Sequence, residues 1–268
     1  MRPRIRLMFL GNRRIAWESL KLLLSDSYGM SFDVRAIVTD GSIWKAWRTL
    51  CPQSEACFIS SERRQSAQIR EAIEVRNIDV LLSVQYNWAI PGDVLNLVAR
   101  RAFNLHNARL PDYKGYNSIS HAIANRDTSY ESTIHWMVEE VDSGDLAYVE
   151  RTPIHADDTA LSLYVRTVDA AVCALKFLLD DLASGVAPPR TTQPKGRGEF
   201  YPMNSVDSLA DVTSKVDSEA VARIARAAFF PPYNAAYFLH EGQKYFVLPE
   251  TAAVNSMVLG HPVNQPVF

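Results

Sequence analysis

The chain has 268 residues, of which 47% are hydrophobic and 22% charged, with a formal net charge of -2. That length supports one large domain, or one domain with a small appendage, and the composition is that of a globular protein with a full core. The near-neutral balance excludes a global basic field of the kind that draws nucleic acid, so no nucleic-acid partner is expected.

At the N-terminus a few basic residues precede an apolar run of only Leu7 to Leu10. This is too short for a signal sequence or a membrane span, so a cytoplasmic protein without a membrane partner is expected. Residues 5–11 (IRLMFLG) read as a buried strand turning at Gly11, and residues 14–25 as a helix with Ile15, Leu20, Leu22 and Leu23 on its apolar side. Residues 33–39 form the next strand. The cluster Trp44, Lys45, Trp47 and Arg48 fits an amphipathic helix over the sheet better than a partner surface. Residues 64–76 are an amphipathic helix, and residues 79–84 and 102–105 are further strands. Strands alternating with helices predict a parallel sheet of βαβ units.

The pattern then changes. Residues 132–138 and 147–154 are β-rich and are joined through a turn at Asp142 to Asp145. Residues 158–184 form one long helix, started by Asp158 or Thr159 and ended by Gly185. Residues 186–199 hold three prolines, two glycines and three positive charges and read as a linker. Residues 217–228 are a short helix, and residues 237–248 a hairpin about Glu241-Gly242. The expected class is α/β: a Rossmann-like, mostly parallel sheet with helices on both faces over 1–185, a linker over 186–199, and a small α+β appendage over 200–268. The three cysteines, Cys51, Cys57 and Cys173, make no CxxC pair, which argues against a disulfide scaffold and a cysteine-built zinc site.

Chemistry concentrates between Asn104 and Asp145. In a strand Asn104 and His106 share a face, because the side-chain period is two. At the C-terminal end of a parallel sheet that face opens on the usual ligand crevice. Asp142, in the turn Val141-Asp-Ser-Gly-Asp145, can reach back to the imidazole, orient it and favour its charged form. An amide donor, an imidazole and a carboxylate suit acyl transfer to an amine, where negative charge develops on an oxygen and a proton must leave the nucleophile. Taken alone, the same residues also fit a turn-capping Asn, a locally bonded His and an ordinary turn Asp.

Further motifs run in order with this segment: Ile5 to Gly11, Ala36-Ile-Val-Thr39, Asp79 to Pro91, Asn104-Leu-His106 with Leu110-Pro111 and Gly115, then Thr133-Ile-His-Trp-Met-Val and Val141-Asp142-Ser-Gly144. Together they make residues 1–185 resemble the folate-dependent formyltransferase family. That family uses 10-formyltetrahydrofolate and includes methionyl-tRNA, glycinamide ribonucleotide and nucleotide-sugar formyltransferases. The resemblance implies that Asn104, His106 and Asp142 are the catalytic set. It implies that Tyr86, Trp88 and Ile90 line the folate pocket, with Val141 and Asp145 closing its other side. Two positions depart from the pattern: Ser132 stands where the family often has Gly, and Asn107-Ala-Arg109 replaces smaller residues.

His121 and His135 lack helical ligand spacing and the family needs no metal, so none is expected. Arg13, after the first strand, is a candidate for a substrate phosphate or a solvated turn charge. Lys114, Tyr116 and Asn117, in a Leu-Pro-x-Tyr-Lys-Gly-Tyr-Asn motif that resembles sugar-modifying members, are candidates for the acceptor. Phe230 and Tyr233 belong to an aromatic, Pro-Pro corner that either packs the appendage or walls the substrate site. The expected acceptor is a nucleotide-linked amino sugar, with hydroxyornithine and methionyl-tRNA as alternatives and a noncatalytic ligand-binding protein as the non-enzyme alternative. A homodimer through the appendage is expected by analogy.

Overall fold

The computed structural model describes residues 3–233 and 235–250; Met1, Arg2 and the last part of the predicted appendage lie outside them. The first strand dictates the layering. In β1 (Ile5–Gly11), Leu7 and Phe9 enter one core cluster while Met8 and Leu10 enter another. A strand apolar on both faces requires cover on both.

The elements that follow supply it. They are α1 (Arg13–Leu24), α2 (Asp26–Gly29), β2 (Phe32–Thr39), α3 (Gly41–Leu50), β3 (Cys57–Ser60), α4 (Ser66–Arg76), β4 (Val80–Val84), α5 (Gly92–Leu97), β5 (Ala102–His106), β6 (Tyr113–Gly115) and α6 (Ser118–Ala124). Then come β7 (Ser129–Trp136), β8 (Leu146–Pro153), α7 (Ala160–Ser184), β9 (Glu199–Tyr201), α8 (Ser205–Leu209), α9 (Ser218–Ala228), β10 (Ala236–His240) and β11 (Gln243–Val247). The main sheet has the order β3-β2-β1-β4-β5-β7-β8. Pairs from β3 to β5 are parallel, and β7 and β8 are antiparallel. Residues of α1, α3, α6 and α7 fill the Leu7/Phe9 side, and residues of α4 and α5 fill the Met8/Leu10 side.

Local chemistry explains the boundaries. Asp40 caps α3 by accepting from the N–H groups of Ser42 and Ile43. Thr159 begins α7 with a reciprocal capping pair to Ser162, and Gly185 ends it in the left-handed conformation (φ 71°). In α3, Trp47 and Ile43 are buried while Trp44 stacks on Phe58, so the aromatic–basic cluster is the helix over the sheet. Glu241 and Gly242 both have positive φ and close the β10–β11 hairpin.

β3, α5, α8 and the β6–β9 pair were not anticipated. β6 and β9 pair in parallel across more than eighty residues, Gly115 opposite Tyr201. The segment 186–199 is irregular but fastened: Thr191 exchanges two backbone hydrogen bonds with Leu146, and the Trp136 indole donates to the Pro189 carbonyl. Among the described residues, no helix is long and apolar enough to cross a membrane.

Candidate active site

β5 places the site by its alternation. Phe103 and Leu105 point into one core; Ala102 points into the other, and Asn104 and His106 continue its row beyond the packed cluster. Antiparallel pairing sets His135 of β7 directly opposite Asn104. The connection from Met137 to Asp145 folds back so that Asp142, 7% exposed and with φ 53°, meets all three.

The distances define the roles. His106 Nε2 donates to the Tyr113 carbonyl at 2.8 Å. In the neutral ring, therefore, Nδ1 carries the lone pair. Nδ1 faces Asp142 Oδ2 at 3.7 Å, an ion-pair distance that leaves the nitrogen free for another group. His135 Nδ1 donates to the Trp136 carbonyl at 3.0 Å, so its Nε2 accepts from Asn104 Nδ2 at 3.1 Å. The second hydrogen on Asn104 Nδ2 points toward Asp142 Oδ1, 3.4 Å away. Asp142 Oδ2 accepts from the Gly115 N–H at 2.9 Å. Burial opposes ionisation of Asp142, but positive charge on the His106 and His135 rings when they are protonated, together with the Gly115 N–H, outweighs it and holds the carboxyl well below the usual range. The result is a fixed carboxylate beside two imidazole nitrogens and an amide donor.

The other predicted positions divide. Lys114 Nζ donates to Ser143 Oγ at 2.8 Å, beside Asp142. The Tyr116 hydroxyl donates to the Asn87 carbonyl at 2.8 Å, and burial, then the Asp142 charge, raise its pKa against the pull of Arg13. Arg13 is exposed at the start of α1, two residues after β1 ends, with φ 68°. Asn117 spends its amide on the Met203 carbonyl at 2.7 Å. Phe230 packs edge-on to Tyr164 at 5.3 Å, while Tyr233 is 63% exposed.

Of the residues expected around a folate, Trp88 and Val141 are exposed, with the Trp88 indole donating to the Ser61 carbonyl at 3.0 Å. Ile90 is buried in the cluster beneath α4 and α5. Asp145 pairs with Arg190 at 3.4 Å. The Tyr86 hydroxyl is buried without a protein partner among the described residues, and burial, opposed by Arg64, pushes its pKa up to about 12.

The two departures from the family pattern touch each other: Ser132 Oγ donates to Asn107 Oδ1 at 2.7 Å, and Asn107 Nδ2 donates to Thr167 Oγ1 at 2.9 Å. His121 is remote in role, stacked on Tyr201 at 3.9 Å and bonded to Ser205 at 2.9 Å. Sequence reasoning weighed His135 only as a metal ligand and gave Gln193 no role. His135 is placed by strand register, and Gln193 by a contact across fifty-one residues. The only sequence signal for either was Thr133-x-His135, a period-two pair on a strand beside Asn104-x-His106.

A doubly covered sheet that brings an amide, an imidazole and a carboxylate together beyond its packed core holds the groups that acyl transfer to an amine uses. Residues 44–177 match the formyl transferase family, and the chain belongs to that family. GDP-perosamine N-formyltransferase of Brucella melitensis is 30% identical over 188 residues, 69% of each chain. Methionyl-tRNA formyltransferase of Delftia acidovorans is 34% identical over 169 residues, 63% of this chain and 50% of that one. Among solved structures, an N-formyltransferase from Helicobacter canadensis in complex with folinic acid and dTDP-3-aminofucose superposes with a TM-score of 0.68 at 18% identity, covering 90% of this chain and 86% of that one.

Proposed function

We propose that the protein transfers a formyl group from 10-formyltetrahydrofolate to the amine of a nucleotide-linked amino-dideoxy sugar, with Asn104, His106 and Asp142 as the catalytic set. The observation that carries the chemistry is the meeting of His106 Nδ1, Asn104 Nδ2 and a buried carboxylate within 3.7 Å. The folate, when bound, supplies the formyl carbon. The unpartnered phenol of Tyr86 and the exposed Trp88 fit a flat ring with polar edges.

Asn104 Nδ2 keeps one hydrogen on His135 and turns the other, which in the free site faces Asp142 Oδ1 across 3.4 Å, to the formyl oxygen as it gains negative charge. His106 Nδ1 takes the proton that the attacking amine sheds, and the Asp142 carboxylate stabilises the resulting imidazolium. The charged ring then adds its N–H to the same oxygen and returns the proton to the departing nitrogen. Arg13 and Lys114 meet the phosphates or hydroxyls of the acceptor, with Tyr116, Asn117, Phe230 and Tyr233 around it.

The sugar acceptor is supported by the match to the Brucella enzyme, which spans 69% of both chains, and by a net charge of -2. Methionyl-tRNA is the second reading, favoured by the 34% identity to the Delftia enzyme, although the chain covers only half of that relative.

An acceptor panel with 10-formyltetrahydrofolate discriminates among them: GDP- and dTDP-linked amino sugars, hydroxyornithine and methionyl-tRNA. Turnover confined to nucleotide sugars is expected. Turnover of methionyl-tRNA or hydroxyornithine alone would replace the acceptor, and no turnover of any, with the fold intact, would favour the noncatalytic reading. The soluble enzyme is read as cytoplasmic and as a homodimer joined through the appendage; sedimentation giving only monomer would remove the dimer.

A further inference from the structure

We infer that Gln193 is a positioning residue for Asp142 and that the segment 189–201 is the strap holding the two loops of the site together. The inference rests on the placing of Asp142 in the catalytic set proposed above. Gln193 is 8% exposed, and its Nε2 donates to the carbonyl oxygens of Asp142 at 3.0 Å and Gly144 at 2.6 Å. These two bonds fix the amide: turned over, Oε1 would face two acceptors. They grip the backbone on both sides of Ser143, the stretch in which Asp142 sits at a φ of 53° that non-glycine residues avoid. The strap is anchored just before this contact. Thr191 bridges Leu146 at 2.8 and 2.9 Å, and Arg190 lies over the Trp136 ring at 3.6 Å.

Its far end reaches the other loop. β9 pairs with β6, the strand whose Gly115 N–H holds Asp142 Oδ2. Gly198 permits the approach: a Cβ there would stand 1.6 Å from the Pro111 carbonyl oxygen. One continuous segment therefore grips the backbone of Asp142 at one end and the strand that holds its side chain at the other. Both hydrogen bonds of Gln193 go to backbone carbonyls and neither to a proposed catalytic side chain, so its effect on rate runs through the backbone of Asp142.

The test is a double-mutant cycle in the full chain. Gln193→Met keeps length and removes the donor; Gln193→Glu keeps shape and sets a carboxylate against the two carbonyls. In single-turnover assays each is expected to lower the formyl-transfer rate about 10- to 100-fold, with KM for the acceptor within about threefold. In an Asp142→Ala background the same Gln193 substitutions are expected to change the residual rate by less than about threefold, because residues acting as a unit are not additive. Equal losses in both backgrounds, or wild-type rates in folded Gln193 variants, would overturn the inference. Wild-type rates in Asp142→Ala itself would instead overturn the catalytic assignment. If Gln193→Met fails to fold, as read by circular dichroism, Gln193→Glu carries the cycle.

Discussion

Gly144→Ala tests whether rate depends on where the turn holds Asp142. An alanine Cβ at 144 would stand 1.8 Å from the Trp136 carbonyl oxygen and 2.8 Å from its carbon, whereas real contacts do not fall under 3.0 Å. The gap must open by at least about 1.2 Å, the difference between 3.0 and 1.8 Å. Trp136 cannot supply that movement. Its ring packs on Phe103 at 4.4 Å, its indole donates to Pro189 at 2.9 Å, and β7 lies between two strands. The turn yields instead, and Asp142 moves with it. A misplacement of about 1 Å costs on the order of 100-fold in rate, so kcat with both substrates saturating is expected to fall about 100-fold. The same overlap destabilises by about 1–3 kcal/mol, or roughly 2–10 °C in Tm for a chain of this size. Gly41→Ala, where a Cβ meets nothing within 4 Å, is the control and is expected to keep wild-type rates. A kcat for Gly144→Ala within about threefold of wild type would refute the claim that the turn sets the rate.

Three further outcomes follow from single contacts. Asp142 has a folded pKa below its ordinary 3.8, so its contribution is present above that value and is lost as pH falls through the folded one. The Tm gap between wild type and Asp142→Asn should therefore narrow between about pH 5 and about pH 2, and a constant gap would contradict it. Arg13→Ala is expected to raise KM for the nucleotide sugar about tenfold, with less salt dependence than wild type; an unchanged KM would assign Arg13 to solvent. Ser132→Gly leaves Asn107 Oδ1 without its donor and is expected to cost about 1–3 kcal/mol in denaturant unfolding. In an Asn107→Ala background that cost should shrink, and equal costs in both backgrounds would show the two residues to be independent.

Much of this was legible in the sequence where the signal is local. Continuous apolar runs mark β1, β2 and β4, because strands covered on both faces need them. The twenty-five residues of α7 carry their own cap and their own terminating glycine. Asn104 and His106 are readable as a pair from the two-residue period, and Asp142 from its turn. What escaped is short or distant. β3 has four residues and sits at the sheet edge, and β6 and β9 have three each. Their pairing depends on chain segments that carry no mark of one another. His135 is a site residue only through the register that sets it opposite Asn104, and a one-residue slip would send it to the other face.

The change of strand direction after β5 sets what surrounds Asn104 and His106. Up to β5 the sheet is parallel, and each crossover returns a helix to one face or the other; α4 and α5 cover the face that carries Ala102. After β5 the chain crosses by way of α6, on the opposite face, and then makes an antiparallel hairpin of β7 and β8. Hairpin strands need no crossover helix. α7 then also packs on the opposite face. Asn104, His106 and His135 stand outside both hydrophobic clusters. Their cover is irregular chain instead: the turn bearing Asp142, with its carbonyls held by Gln193. Backbone in that position can approach a ligand, present carbonyls and N–H groups, and shift by fractions of an ångström with one substitution. The topological irregularity and the proposed chemistry thus meet at one strand: the sheet stops being parallel after β5, which carries the proposed acyl-transfer residues Asn104 and His106.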